Sequence, residues 1–149
     1  MMGVFPYWRG IVSFNTSLLG STTTILGAKL RLNQATPGTY FGTGGLGTCM
    51  VDTKKGHFGN SLALEGMDYD STDWTTQNAF PVVNVGQYNW FDAYLSTTAA
   101  QANIANTDHT QFRIYFNQGP ANKNEGWYSG ETNTSTPSTP PHLIVQYQQ

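Results

Sequence analysis

A chain of 149 residues can bury a core without staples, since a domain of that size hides roughly 70% of its unfolded surface, and a single domain over residues 1–149 is expected. Charged residues are only 11% of the sequence, and Lys+Arg 7 against Asp+Glu 9 leaves a net charge of −2 with no basic run beyond Lys54 and Lys55, which excludes an electrostatic grip on nucleic acid. Cys49 is the only cysteine, so an intrachain disulfide and a cysteine-based zinc cluster are excluded, and no window approaches the ~18 consecutive apolar residues of a membrane span.

The opening, MMGVFPYWRGIVSFNTSLL, shows neither a basic n-region nor an apolar h-region, so no signal peptide is read in this chain. Within it, WRGIVSF alternates Trp8, Gly10, Val12 and Phe14 against Arg9, Ile11 and Ser13, a strand whose inward set is Trp8, Val12 and Phe14. Few residues precede that strand. Its free edge is therefore expected to be completed by another subunit or covered by a loop such as residues 36–47.

TILGAKLRL follows, with Leu26, Ala28, Leu30 and Leu32 on the face expected to meet the core and Ile25, Gly27, Lys29 and Arg31 on the other. The glycine-rich TPGTYFGTGGLG, residues 36–47, reads as a long connection. Then come LGTCMVD, SLALEG, PVVNV, YNWFDAYL, TQFRIYF, EGWYSGE and HLIVQYQ, short apolar or alternating runs bounded by turn residues. KKGHFGN lacks the order of a phosphate loop and reads as a turn, as does NTSTPSTPP before the last strand. STTAAQANIANTD breaks the β pattern with helix-forming alanines after Ser96 or Thr97 as N-cap, which predicts one short helix near residues 96–105 with Ile104 buried. The sum is an all-β protein, an antiparallel jelly-roll β-sandwich with that one helix.

Chemistry-bearing residues are sparse. In MDYDSTDW, Asp68, Asp70 and Asp73 could gather oxygen ligands for a structural calcium, although the run lacks the glycine and distal Glu of an EF-hand loop. The bland alternative is solvated loop and capping carboxylates. His57, His109 and His142 stand singly, no G-x-S-x-G elbow is present, and no carboxylate spacing favours a glycosidase pair. No enzyme and no cofactor beyond calcium are expected. In YNWFDAYL, alternation places Phe91 and Leu95 toward the core and Tyr88, Trp90, Asp92 and Tyr94 on the opposite face, where rings beside hydrogen-bonding groups suit a sugar or a protein neighbour.

Two stretches carry a family resemblance. YWRGIVSFNTSLLGSTTTILGAKLRL resembles the segment of DNRLRE-type β-sandwich domains, grouped with carbohydrate-binding modules, in which an aromatic-Arg-Gly strand ending in FNTS or FDTS precedes ATITSAKLRL. NKNEGWYSGETNTSTPSTPPHLIVQY is similar to that family's closing pattern of an acidic-aromatic strand, YSxE, a Thr/Ser/Pro turn and a final PxLxVxY. The likeness covers both ends and loosely the section between, and the hexapeptide that names the family is absent. It implies a jelly roll without catalytic residues, of the kind found in secreted, cell-surface and phage-encoded proteins, and it says little about a ligand. The family's additional strands before the aromatic-Arg-Gly strand have no counterpart in MMGVFP. Two functions are expected from this. One is a structural or adhesion module at an extracellular or virion surface, self-associating or meeting a neighbouring structural subunit, with glycans as a further ligand. The other is a carbohydrate-binding module of a secreted polysaccharide-degrading protein.

Overall fold

The computed structural model describes residues 9–33, 47–69, 79–84 (backbone), 90–117 and 140–149. Within them lie the strands β1 (Arg9–Asn15), β2 (Thr24–Asn33), β3 (Cys49–Lys55), β4 (Ala79–Asn84), β5 (Trp90–Leu95), β6 (His109–Phe116) and β7 (His142–Gln148) and the helix α1 (Thr97–Asn103). Every strand pair is antiparallel, and the order is β1-β6-β3-β4-β5-β2-β7. Among the described residues the structure is β apart from this helix and two short 3₁₀ turns, Ser17–Leu19 and Gly66–Asp68.

β4 is the hinge of the order. Its first half, Ala79 to Pro81, pairs with β3, and its second half, Val82 to Asn84, pairs with β5. A strand that changes partner midway lets one continuous ladder turn a corner, leaving β1-β6-β3 and β5-β2-β7 as two three-stranded sheets. Their inner residues meet: Leu30 and Leu32 of β2, Ala93 and Leu95 of β5, Val51 of β3, and Phe112 and Ile114 of β6 belong to one buried cluster. Cys49 is buried there too, a small apolar filler on β3.

α1 closes one end of the core. Ser96 is its N-cap, accepting at Oγ from the Ala99 N–H at 3.3 Å. Ala99, Ala100 and Asn103 form its buried side, and Ile104, just past its end, is buried as the sequence suggested. The helix is fastened to β2 by side chains, with Thr97 Oγ1 donating to the Leu26 carbonyl at 2.8 Å and Gln101 Nε2 to the Ile25 carbonyl at 2.9 Å.

That contact accompanies a correction. Pairing of β2 with β7 runs Ile25 to Tyr147 and then Gly27 to Gln146, so Leu26 is one residue too many and the strand bulges there. A single extra residue inverts the alternation upstream of it. Ile25 therefore takes the core position at 4% exposure, while Leu26 stands out at 37%. Ala28, Leu30 and Leu32, beyond the bulge, face the core as expected.

SLALEG is also corrected: it forms no strand, and Leu64 is 77% exposed. Local turn chemistry overrides its β pattern. Gly56 and Gly59 adopt positive φ (77° and 64°), Ser61 Oγ donates to Glu65 at 2.9 Å, and Glu65 and Asp68 cap the 3₁₀ turn reciprocally. In KKGHFGN, Lys54 and Lys55 end β3 and the turn begins at Gly56. EGWYSGE, Trp8, residues 36–46 and residues 133–139 lie outside the described residues.

β1 ends the strand order and pairs with β6 alone among the described residues. Val12 and Phe14 are only partly buried against the core, Phe14 meeting the edge of Phe112 at 5.9 Å between centroids. Among the described residues the strand thus stands at an edge of the sheet.

Two substitution pairs test these assignments. Ile25→Ala should cost about 2–5 kcal/mol in urea unfolding while Leu26→Ala costs under ~1 kcal/mol, and the reverse order would remove the bulge. A Cβ on Gly59 would sit 2.1 Å from Asp68 Oδ1, whereas one on Gly56 meets nothing within 4 Å. Gly59→Ala should therefore lose about 1–3 kcal/mol beyond the positive-φ penalty that both variants share.

Candidate functional site

Each sheet turns one face to the core and one away from it, and the two outward faces differ. On β1-β6-β3 the outward residues include Arg9, Arg113, Tyr115 and Asp52, and the segment 56–69 lies over them. Arg113 reaches Asp52 through Nη2 at 2.8 Å and Nε at 3.2 Å, and donates from Nη1 to the carbonyls of Asp68 and Tyr69. Its guanidinium also rests on the buried Phe58 ring, 4.9 Å from the centroid. Gln111 Oε1 accepts from the Phe58 N–H at 2.7 Å. Arg9 lies over the Tyr69 ring and donates to the Tyr69 carbonyl. Burial dominates this cluster: it pushes the Asp52 carboxyl up despite Arg113 beside it, and pulls the Arg113 guanidinium down. These charges tie a loop to a sheet.

The outward face of β5-β2-β7 carries a different arrangement. Register places Trp90, Asp92 and Tyr94 of β5 opposite Asn33, Arg31 and Lys29 of β2, and β7 sets His142 beside Arg31 and Ile144 beside Lys29. Directly paired residues share a face, so these side chains form one platform. At its centre the fully buried Asp92 accepts from Arg31 Nε at 2.6 Å and Nη2 at 2.8 Å, from Lys29 Nζ at 2.8 Å and from the Tyr94 hydroxyl at 3.1 Å. Hydrogen bonds from Arg31, and after them from Lys29, outweigh the cost of burial and hold the Asp92 carboxyl at about 2. The same bond raises Arg31. Lys29 lies 5.3 Å from the Tyr94 ring centroid, and Trp90 meets His142 edge-on at 5.8 Å. Tyr94 is 52% exposed.

Alternation thus places Trp90, Asp92 and Tyr94 together on one face, as the sequence suggested, but Asp92 sits beneath two cations rather than presenting its carboxylate. Tyr88 lies outside the described residues. So do Asp70 and Asp73. Asp68 is buried, its Oδ2 accepting from the Glu65 N–H at 2.8 Å and its Oδ1 turned toward Gly59. Among the described residues no group of three or more His, Cys, Asp or Glu could hold a metal ion. Sequence reasoning missed Lys29 and Arg31 as partners of Asp92. The usable signal was TILGAKLRL itself, whose outward set places two cations two residues apart beside a strand carrying one acid. The chain matches no protein-family model and no curated protein.

Asp92→Asn isolates the cluster. Because the folded carboxyl lies near 2 and an unfolded one near 3.9, the ionised form contributes about 2 kcal/mol that is fully present above pH ~4 and lost as pH falls through ~2. The variant should lose about that much at pH 7 in denaturant titrations, with the gap to wild type closing toward pH ~2. A gap that persists at low pH would assign the loss to packing.

Proposed function

We propose that this chain is a non-catalytic β-sandwich module of jelly-roll type, displayed on a virion, filament or cell surface, that meets its neighbours or glycans through the outward face of β5-β2-β7. The observation that carries the reading is the inequality of the two sheets. Among the described residues, one outward face is roofed by residues 56–69, which bury Phe58 on it, while the other presents a half-exposed Tyr94 and a partly exposed Trp90 around a fixed ion cluster. The resemblance to DNRLRE-type domains agrees with such a module. A carbohydrate-binding module of a secreted polysaccharide-degrading protein is the second reading, favoured by the two rings flanking hydrogen-bonding groups on a flat sheet.

The non-catalytic part draws on the acids themselves. Asp52 and Asp92 are ion-paired and Asp68 is used as a cap, so none of the three is a carboxylate poised for general acid or base work. β1, at the end of the strand order among the described residues, is where a strand from another subunit would add.

Light scattering at micromolar concentration should show an assembly larger than the monomer. A stable monomer with amides of residues 9–15 protected from hydrogen exchange would instead mean that the chain covers its own edge. A panel of polysaccharide and ester substrates should show no turnover, and turnover abolished by Asp52→Ala or Glu125→Ala would make the protein an enzyme.

A further inference from the structure

We infer that the outward face of β5-β2-β7 takes an acidic saccharide, a sugar bearing a carboxylate or sulfate. The inference rests on the reading of that face as the contact surface and adds the chemical class of its ligand. Charge is the first ground. Two cations share one carboxylate there, so the cluster keeps a net positive charge on a chain whose overall charge is −2. Asp92 takes Nε–H and one N–H of Nη2 from Arg31 and one donor of Lys29, which among the described residues leaves Arg31 Nη1, the second Nη2 N–H and two ammonium N–H groups for a second anion. The Lys29 and Arg31 side chains are 24% and 34% exposed while Asp92 is wholly buried, so an incoming anion meets the cations and not the carboxylate.

Preorganisation is the second ground. Asp92 fixes both long side chains in one geometry, so less side-chain freedom is left to lose on binding. The third ground separates a sugar from a protein neighbour. A protein interface is depleted of charge at its core and polar at its rim, whereas this face has its charges at the centre and its rings, Tyr94 and Trp90, on either side. Rings beside charged donors match a pyranose, which presents C–H groups on its faces and its acidic group at the edge.

The test uses the whole chain on immobilised saccharides containing uronate, sialic acid or sulfate, with neutral saccharides beside them, followed by titration at low and high salt. Acidic saccharides should be retained over neutral ones, with affinity falling as salt rises. Lys29→Gln should weaken binding by about tenfold and Tyr94→Ala by a similar factor, with Lys29→Arg restoring it; at matched melting temperatures this excludes a folding defect. Equal binding of neutral sugars that Lys29→Gln leaves unchanged would overturn the acidic class while keeping the face as a glycan contact. No saccharide binding together with a Tyr94→Ala change in solution mass would overturn the inference and hand the face to a protein neighbour. If neither binding nor mass responds to either variant, both the inference and the reading of the face fall.

Discussion

Strand β2 is the constraint on which the other parts depend, because it is hydrogen-bonded on both edges and must satisfy two environments at once. Ala28, Leu30 and Leu32 commit one face to the core, and by the strict two-residue period this commits Lys29 and Arg31 to the other. Its pairing with β5 then decides what those cations meet. A register shifted by one residue would bring Asp92 inward, among apolar residues, and push Ala93 and Leu95 out. The bulge at Leu26 belongs to the same logic. The pairing of β2 with β5 ends at Ala28, and beyond it α1 supplies donors, Gln101 and Thr97, to the Ile25 and Leu26 carbonyls.

The two ion clusters show how depth changes the meaning of a salt bridge. Asp52 and Arg113 are both almost fully buried, and their desolvation opposes the attraction so strongly that burial is the leading influence on both groups. What Arg113 contributes is geometry, since its remaining donors hold the Asp68 and Tyr69 carbonyls and so anchor the segment that roofs the sheet. Asp92 faces cations that still touch water, and hydrogen bonding from Arg31 is the leading influence on it. Here the carboxylate is kept ionised, and its cations remain accessible.

Much of this was legible in the sequence where a single periodicity applied. The helix over 97–103 followed from its cap and alanines, and the inward set of β5 from Phe91, Ala93 and Leu95. Leu26 was misplaced because a bulge leaves no mark on composition: TILGAKLRL reads as an unbroken strand, and only the partner strand reveals the extra residue. SLALEG failed for a different reason. Its leucines alternate as in a strand, but positive-φ glycines upstream and a capping pair downstream fold it as a turn. The pairings of Asp92 with Arg31 and of Asp52 with Arg113 each join residues about 60 positions apart, so strand order had to be known before either could be read.

A surface poor in charge makes the placement of its few charges informative. Two of the seven basic residues, Arg9 and Arg113, lie with Asp52 under the roofing segment, and two more, Lys29 and Arg31, converge on Asp92. The second group stabilises the fold through Asp92 and also leaves its cations partly exposed. An outward sheet face can also be covered with Thr, Asn and Gln, which this sequence uses freely elsewhere. Hydrogen bonds from Arg31 and Lys29 outweigh the desolvation of Asp92, and the same bonds hold two partly exposed cations side by side on the outward face. The aromatic rings strengthen the point, since Tyr94 exposes a large apolar surface where a smaller polar residue would satisfy the strand equally well.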